Sequence, residues 1–308
     1  MKMCSKCILP VGYPGVQFVQ TADGIKCQWC AQEEKGQARE RALEEMEKYL
    51  RTLVSKRKHE QGYDAVVAIS GGKDSTAALY LAVKKYGLKV LAFTVDNGVK
   101  SDKLITNICK IVNWLSVDWQ LVRHDLSKSL KRYLINCQYP CGKECNVLQD
   151  HYFGEMAHIH GVNTVISGYE LLGRGGKAVI SKDGYMLVNV LAALRLTDAE
   201  TKRIAYEAKW TNPSYFVGHD ALPGFSDCLA GAVALERIYS QRGLGFDDIL
   251  SGRYETELLP YLAKRVRAGI VSKKEMLNLL RTPIKATATV WAEISEKMGG
   301  DLLGSEKG

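Results

Sequence analysis

Short apolar runs punctuate the middle of the chain, spaced so that a helix fits between successive ones. Residues 64–70 (DAVVAIS), 89–96 (KVLAFTVD), 118–125 (DWQLVRHD) and 163–169 (NTVISGY) are seven or eight residues long and read as buried strands. Stretches of helical character separate them, one of them following Ser101-Asp102. Such alternation predicts an α/β fold, a doubly wound parallel sheet covered on both faces. Ahead of it, Leu43, Met46, Leu50 and Leu53 recur at helical spacing among charged residues, which predicts a linking helix within 36–60. Beyond about residue 197 the pattern turns helical, with Thr197-x-x-Glu200 and Ser272-x-x-Glu275 as capping boxes. The expected organisation is a cysteine-bearing module over 1–35, the linking helix, a sheet domain over 61–230 and a helical C-terminal region over 231–308.

Composition narrows the class. There is no run of 18 apolar residues in the 308, and Cys4 and Cys7 lie too near the start for a secretory signal. The nine cysteines are therefore expected as reduced thiols in a cytoplasmic protein, available for metal or catalysis. A formal charge of +8 permits an anionic partner such as nucleic acid or a nucleotide without requiring one.

The most informative stretch is Ser70-Gly71-Gly72-Lys73-Asp74-Ser75, between the first strand and the helix that begins TAALYLAV. Paired glycines let an anion approach backbone N–H groups, and the helix start adds unpaired donors and the positive end of its dipole. Ser70, Ser75 and Lys73 add side-chain donors, completing a phosphate cradle. The spacing is neither that of the P-loop kinases nor that of dinucleotide folds. It resembles the SGGxDS signature of the PP-loop ATP pyrophosphatases, of adenine nucleotide alpha hydrolase-like fold, which cleave ATP between the α- and β-phosphates and adenylate a substrate oxygen. The resemblance implies ATP and Mg²⁺ as cofactors, with the loop on the pyrophosphate and Asp74 positioning the metal or the loop. It also implies adenosine at the end of the second strand, against Phe93, Thr94, Val95 and Asp96, with Gly168 near the nucleotide.

Two further sets of cysteines carry chemistry. Cys4-x2-Cys7 and Cys27-x2-Cys30 have the spacing of a zinc ribbon, four sulfur ligands that close a structural zinc site. Cys137, Cys141 and Cys145 precede a helix, and Cys228 follows much later. This arrangement resembles the tRNA 2-thiouridine and 2-thiocytidine synthetases, in which three cysteines hold a [4Fe–4S] cluster. Cys141, Cys145 and Cys228 are the ligands this implies, with Cys137 as a substitute. The spacings here are Cys-x3-Cys rather than Cys-x2-Cys, and Gly168-Tyr169-Glu170 stands where that family has paired aspartates. A cluster-free pair of catalytic cysteines is the fallback. Cys109, in an apolar helix, reads as a buried small hydrophobe. Tyr206, Trp210, Tyr215 and Phe216 suit either base stacking or core packing.

The function these features imply is ATP-dependent thiolation. A substrate carbonyl is adenylated, with Lys73 offsetting phosphate charge, and a sulfur nucleophile then displaces AMP. The expected partners are a sulfur donor and a tRNA base or purine-like small molecule as acceptor, with no membrane; a homodimer is one option. The first hundred residues also resemble the N-acetyl sugar amidotransferases, which take ammonia from a glutaminase partner, so amide chemistry is the alternative.

Overall fold

The computed structural model describes residues 2–32, 37–56, 62–136, 144–173, 176–217, 228–241, 258–281 and 284–300. The chain opens with a hairpin, β1 (Phe18–Thr21) and β2 (Gly24–Cys27), paired antiparallel and followed by the short helix α1 (Gln28–Gln32). Helix α2 (Gln37–Ser55) follows and buries Ala42, Met46 and Leu50 along one face.

Six strands form the central sheet: β3 (Ala65–Ala68), β4 (Val90–Asp96), β5 (Asp118–Arg123), β6 (Thr164–Ser167), β7 (Val179–Lys182) and β8 (Tyr185–Asn189), ordered β5-β4-β3-β6-β8-β7. All neighbours are parallel except β7, which runs antiparallel to β8. The four strands expected from the sequence are present. The segment 118–125 is not a buried strand, however: β5 is the outer strand, its residues exposed or half-buried. The β7–β8 hairpin, turning at Asp183-Gly184, is absent from the sequence-based reading.

Helices follow in chain order: α3 (Lys73–Tyr80), continued as a π-helical turn over Leu81–Lys85, then α4 (Asp102–Leu115), α5 (Ser127–Ile135) and α6 (Asn146–Ile159). Next come α7 (Val190–Leu194), α8 (Asp198–Glu207), α9 (Leu229–Gln241), α10 (Leu258–Arg267), α11 (Lys273–Arg281) and α12 (Ala288–Lys297). Ser101 caps α4 by accepting from Leu104 N at 3.1 Å. Both predicted capping boxes form: Thr197 Oγ1 accepts from Glu200 N at 3.2 Å, and Ser272 Oγ from Glu275 N at 3.1 Å.

Three apolar clusters hold these layers. One lies on the face of the sheet covered by α2, α3, α4 and α8, with Leu50, Ile69, Leu79, Ile108 and Ile204 in it. The opposite face packs on α6, where Phe153 meets Phe93 edge-on at 6.0 Å between ring centroids. The third joins Ile8 and Leu9 of the N-terminal module to Leu130 of α5, Leu235 of α9, Leu262 of α10 and Ile294 of α12. The N-terminal module and the C-terminal helices thus share one core. Among the described residues no helix is long and apolar enough to cross a membrane.

Candidate functional site

The order of the sheet reverses beside β3: the chain passes outward through β4 and β5, then returns to place β6 on the other side of β3. Ligands in such sheets bind at the carboxyl ends of the strands next to this reversal. The loop Ser70–Gly72 leaves β3 there. Gly71 has φ +91°, and a Cβ on it would stand 2.7 Å from Leu104 Cγ, so both conformation and space require glycine. Its carbonyl accepts from Trp210 Nε1 at 2.9 Å, which fixes the loop from behind. Ser75 Oγ is 2.9 Å from Ser70 Oγ and accepts from Ser70 N at 3.0 Å. Gly72 caps α3 with no side-chain hydrogen bond, leaving the amides of the first turn to an anion. Gly168, after β6, packs against that turn so closely that a Cβ would lie 2.6 Å from Ser75 N.

Lys73 points elsewhere than the phosphate role implies. It is 5 % exposed, and its Nζ lies 2.5 Å from Asp74 Oδ1, 2.9 Å from Asp198 Oδ1 and 3.6 Å from Glu170 Oε1. Arg265 of α10, fully buried, binds Glu170 Oε2 and, at 3.2 Å, Asp198 Oδ1. Burial alone would lower the Lys73 pKa, but Asp74 and Asp198 outweigh it and the net shift is upward. The lysine is therefore a charged member of a buried network that ties the loop to α8 and α10.

A cavity of about 260 Å³ lies beside the loop, walled by Ile69, Ser70, Phe93, Val95, Cys145 and Cys228. Two of the four residues expected at the adenosine, Phe93 and Val95, line it. Thr94 and Asp96, pointing the other way along the strand, have structural bonds: Thr94 Oγ1 donates to Ile69 O at 2.7 Å, and Asp96 Oδ1 accepts from Gly98 N at 2.9 Å. Cys145 and Cys228, 83 positions apart in sequence, meet at this cavity. Burial, and then the neighbouring Cys228, push the Cys145 thiol up to about 11, while Asn97 Nδ2, 3.7 Å from its sulfur, and Lys100 act in the opposite direction. Cys137 and Cys141 lie outside the described residues. Asn97 and Lys100, which sequence reasoning missed, also line this cavity; Lys100 Nζ is 3.5 Å from Ser70 O. Their only signal was position, directly after the Asp96 strand end.

Cys109 is half-buried rather than buried. Of the four aromatic residues, Trp210, Tyr215 and Phe216 are core, and Tyr206 is 48 % exposed.

Cys4, Cys7, Cys27 and Cys30 are all buried, with sulfurs within 4.8 Å of one another, and could hold one metal ion. The 3.8 Å between the Cys7 and Cys27 sulfurs equals the edge of a tetrahedron whose corners stand about 2.3 Å from a central ion. Hydrogen bonds among the sulfurs lower the Cys27 thiol and raise those of Cys7 and Cys30. Arg267 of α10 points its Nη1 at Cys7 Sγ, 3.9 Å away, and lies over the Trp29 ring at 5.2 Å.

Comparison with known proteins agrees with the loop. Residues 64–147, from β3 to the start of α6, match the family model described as queuosine biosynthesis protein QueC. An uncharacterized protein of Methanocaldococcus jannaschii is 26 % identical over 257 residues, covering 83 % of this chain and 86 % of its own. A crystal structure of phosphoadenylyl-sulfate (PAPS) reductase from Candida auris, in complex with phosphate, shares 13 % identity at a TM-score of 0.38, covering 58 % of this chain and 88 % of that one. The QueC match and the loop Ser70–Ser75 at the carboxyl end of β3 together support the PP-loop ATP pyrophosphatase superfamily, with ATP-dependent nucleotide-modifying chemistry and Mg²⁺ as its implied ion.

Proposed function

We propose that the chain adenylates a carbonyl oxygen with ATP and then transfers sulfur to the activated carbon. The observation that carries this reading is the meeting of Cys145 and Cys228 on the cavity that Ser70, Phe93 and Val95 also line. The acceptor oxygen attacks the α-phosphorus, and the bond to the β-phosphate breaks with release of pyrophosphate. The loop amides and Lys100 offset the charge that develops. Asp74 offers the hard oxygen donor that Mg²⁺ takes, and the ion would neutralise phosphate charge when bound.

Sulfur transfer then uses the two cysteines. A persulfide, loaded on one of them by a sulfur donor, attacks the activated carbon through its terminal sulfur, and AMP leaves. The second thiolate attacks the inner sulfur of the persulfide, giving a Cys145–Cys228 disulfide that an external thiol reduces. A [4Fe–4S] cluster would take a third thiolate beside Cys145 and Cys228, from Cys141 or Cys137, which lie outside the described residues; the two-cysteine route is written with the two thiols that the structure describes at the cavity. The ion at the N-terminal cysteines is proposed to be zinc, with a structural role because four sulfurs leave no open position.

The test is to incubate the anaerobically purified enzyme with ATP, Mg²⁺, a persulfide (sulfane-sulfur) donor, an external thiol and acceptor, and to record AMP, pyrophosphate and product. Asp74→Ala is expected to lose pyrophosphate release. Cys145→Ser and Cys228→Ser are expected to retain it and lose thiolated product. Full sulfur transfer by Cys228→Ser would remove the two-cysteine step, and a nitrogen-containing product would establish the amidotransferase alternative.

A further inference from the structure

The outer strand β5 keeps one edge of its backbone unpaired. His124 N, directly after the strand, donates to Asp96 O of β4 at 2.8 Å. Backbone groups alternate in direction along a strand, so residues 118, 120, 122 and 124 face β4. Trp119, Leu121 and Arg123 therefore turn their N–H and C=O groups outward, and among the described residues none of these groups has a hydrogen-bond partner. Natural edges are commonly blunted by proline or a bulge. β5 has no proline, and its register with β4 is continuous from Asp118 to Arg123. Leu121, at the middle, is 46 % exposed.

The strand is also complementary to itself. In a closed dimer two copies of this edge run antiparallel about a two-fold axis perpendicular to the sheet, so each residue meets one from its own face. With Leu121 on the axis, Leu121 meets the partner's Leu121 and Trp119 meets the partner's Arg123, a cation against an indole. On the other face Asp118 meets the partner's His124, and Gln120 the partner's Val122. The groups needed are available. The Arg123 side chain is 73 % exposed, with its Nε 4.0 Å from Asp96 Oδ2. Asp118 uses only Oδ2, for the Tyr63 hydroxyl at 2.8 Å, and His124 only Nδ1, for the Tyr152 hydroxyl at 3.1 Å. Centring on Gln120 instead would set Asp118 against the partner's Val122, and centring on Val122 would set Arg123 against the partner's Leu121. The charges therefore select one register.

We propose that β5 pairs with β5 of a second copy of this chain, Leu121 on Leu121, joining the two six-stranded sheets into one. This assembly does not depend on the adenylation reading. Outward N–H and C=O groups of Trp119, Leu121 and Arg123 find partners in the other copy. Ile159, 61 % exposed, adds apolar surface beside the strand, because its neighbour His160 lies 3.0 Å from Gln120 Oε1. A strand edge with such flanks buries less than a standard interface, so the dimer is expected to be weak and reversible. The carboxyl ends of the two copies of β5 point in opposite directions, which keeps both nucleotide cavities clear of the contact.

The experiment is sedimentation velocity of the full-length, metal-loaded protein over concentrations on the order of 1 to 100 μM, the range a small interface calls for. A monomer–dimer equilibrium is expected. Leu121→Lys sets like charges against each other on the axis and should weaken the dimer at least about tenfold, with Tm unchanged because the side chain lies outside the core. Cross-linking then reads the register. Directly opposed residues stand about 5.5 Å apart between Cα atoms, within disulfide reach. Leu121→Cys should therefore form a covalent dimer under mild oxidation, beyond any formed by the unsubstituted protein. The two copies of residue 123 lie about 13 Å apart along the paired strands, so Arg123→Cys should not. A monomer at every concentration overturns the proposal. So does an undiminished dimer in Leu121→Lys, or Arg123→Cys cross-linking as readily as Leu121→Cys.

Discussion

A lysine directly after paired glycines invites a phosphate contact, yet Lys73 engages three carboxylates, and Arg265 bridges two of them. Removing one partner from a buried charge network leaves the others uncompensated. Lys73→Met should therefore destabilise the fold by about 3 kcal/mol. A loss in urea unfolding well below 1 kcal/mol would show instead that the lysine is free to serve the nucleotide. Gly168→Ala is expected to shift the first turn of α3, because the added Cβ meets the backbone of Asp74 and Ser75 rather than a flexible side chain. The measurable consequence is a raised KM for ATP with a stability loss of about 1–3 kcal/mol. Cys145 gives a pH signature. Its folded pKa, about 11, is raised above the ordinary 9.0, so its contribution to stability is present in full below about 9 and lost as pH rises towards 11. Alkylation by iodoacetamide should be slow at neutral pH and accelerate over the same range. Fast labelling of Cys145 at pH 7 would contradict the assigned environment.

At the level of elements, legibility followed burial and local chemistry. Strands β3, β4 and β6 stand out because parallel strands buried on both faces are continuous apolar runs, AVVA, VLAFTV and TVIS. Helices α4, α8 and α11 announce their starts through Ser101, Thr197 and Ser272, since a capping residue acts within one turn of itself. What escaped depends on partners remote in sequence. The strand β5 has the composition of a buried strand, but nothing local says that no neighbour covers its far edge. The hairpin β7–β8 carried a readable Asp183-Gly184 turn; its flanks, VISK and YMLVN, are short and easily taken for loop beside helical surroundings. The site divides in the same way. Its loop, Ser70–Ser75, is one continuous motif and was legible, as was the four-cysteine spacing. Trp210, Glu170, Asp198 and Arg265 come from four separate segments and reach the loop through tertiary packing, so no spacing rule reveals them.

For the molecule as a whole, α10 is the link between the N-terminal cysteines and the phosphate loop. Arg265 and Arg267 stand two positions apart on it and so point to different sides of the helix. Arg265 reaches Glu170 and Asp198, which hold Lys73; Arg267 reaches Cys7 Sγ and the Trp29 ring. Lys273, at the start of α11, adds a 2.7 Å bond to Cys4 O. The cysteine module also shares its apolar core with α9–α12, so loss of its ion would loosen both the core and the helix that steadies the loop. Metal analysis of freshly purified protein is expected to find one zinc per chain. Structural zinc contributes roughly 10 kcal/mol or more of binding free energy in small modules, and a shared core spreads part of that loss over the C-terminal helices. Chelation, or Cys27→Ser, is therefore expected to lower Tm by at least about 10 °C. Hydrogen exchange should lose protection in α10 and α11 before it does in β3, β4 and β6, whose amides belong to the separately packed sheet. The KM for ATP should rise in the same samples, although no cysteine of the module lines the nucleotide cavity. Arg267→Ala separates the two effects: the ion should remain bound, because all four sulfurs are intact, while the KM for ATP rises in part. An unchanged KM in both Arg267→Ala and the chelated protein would mean that the cysteine module stabilises the helices alone and has no mechanical link to the loop.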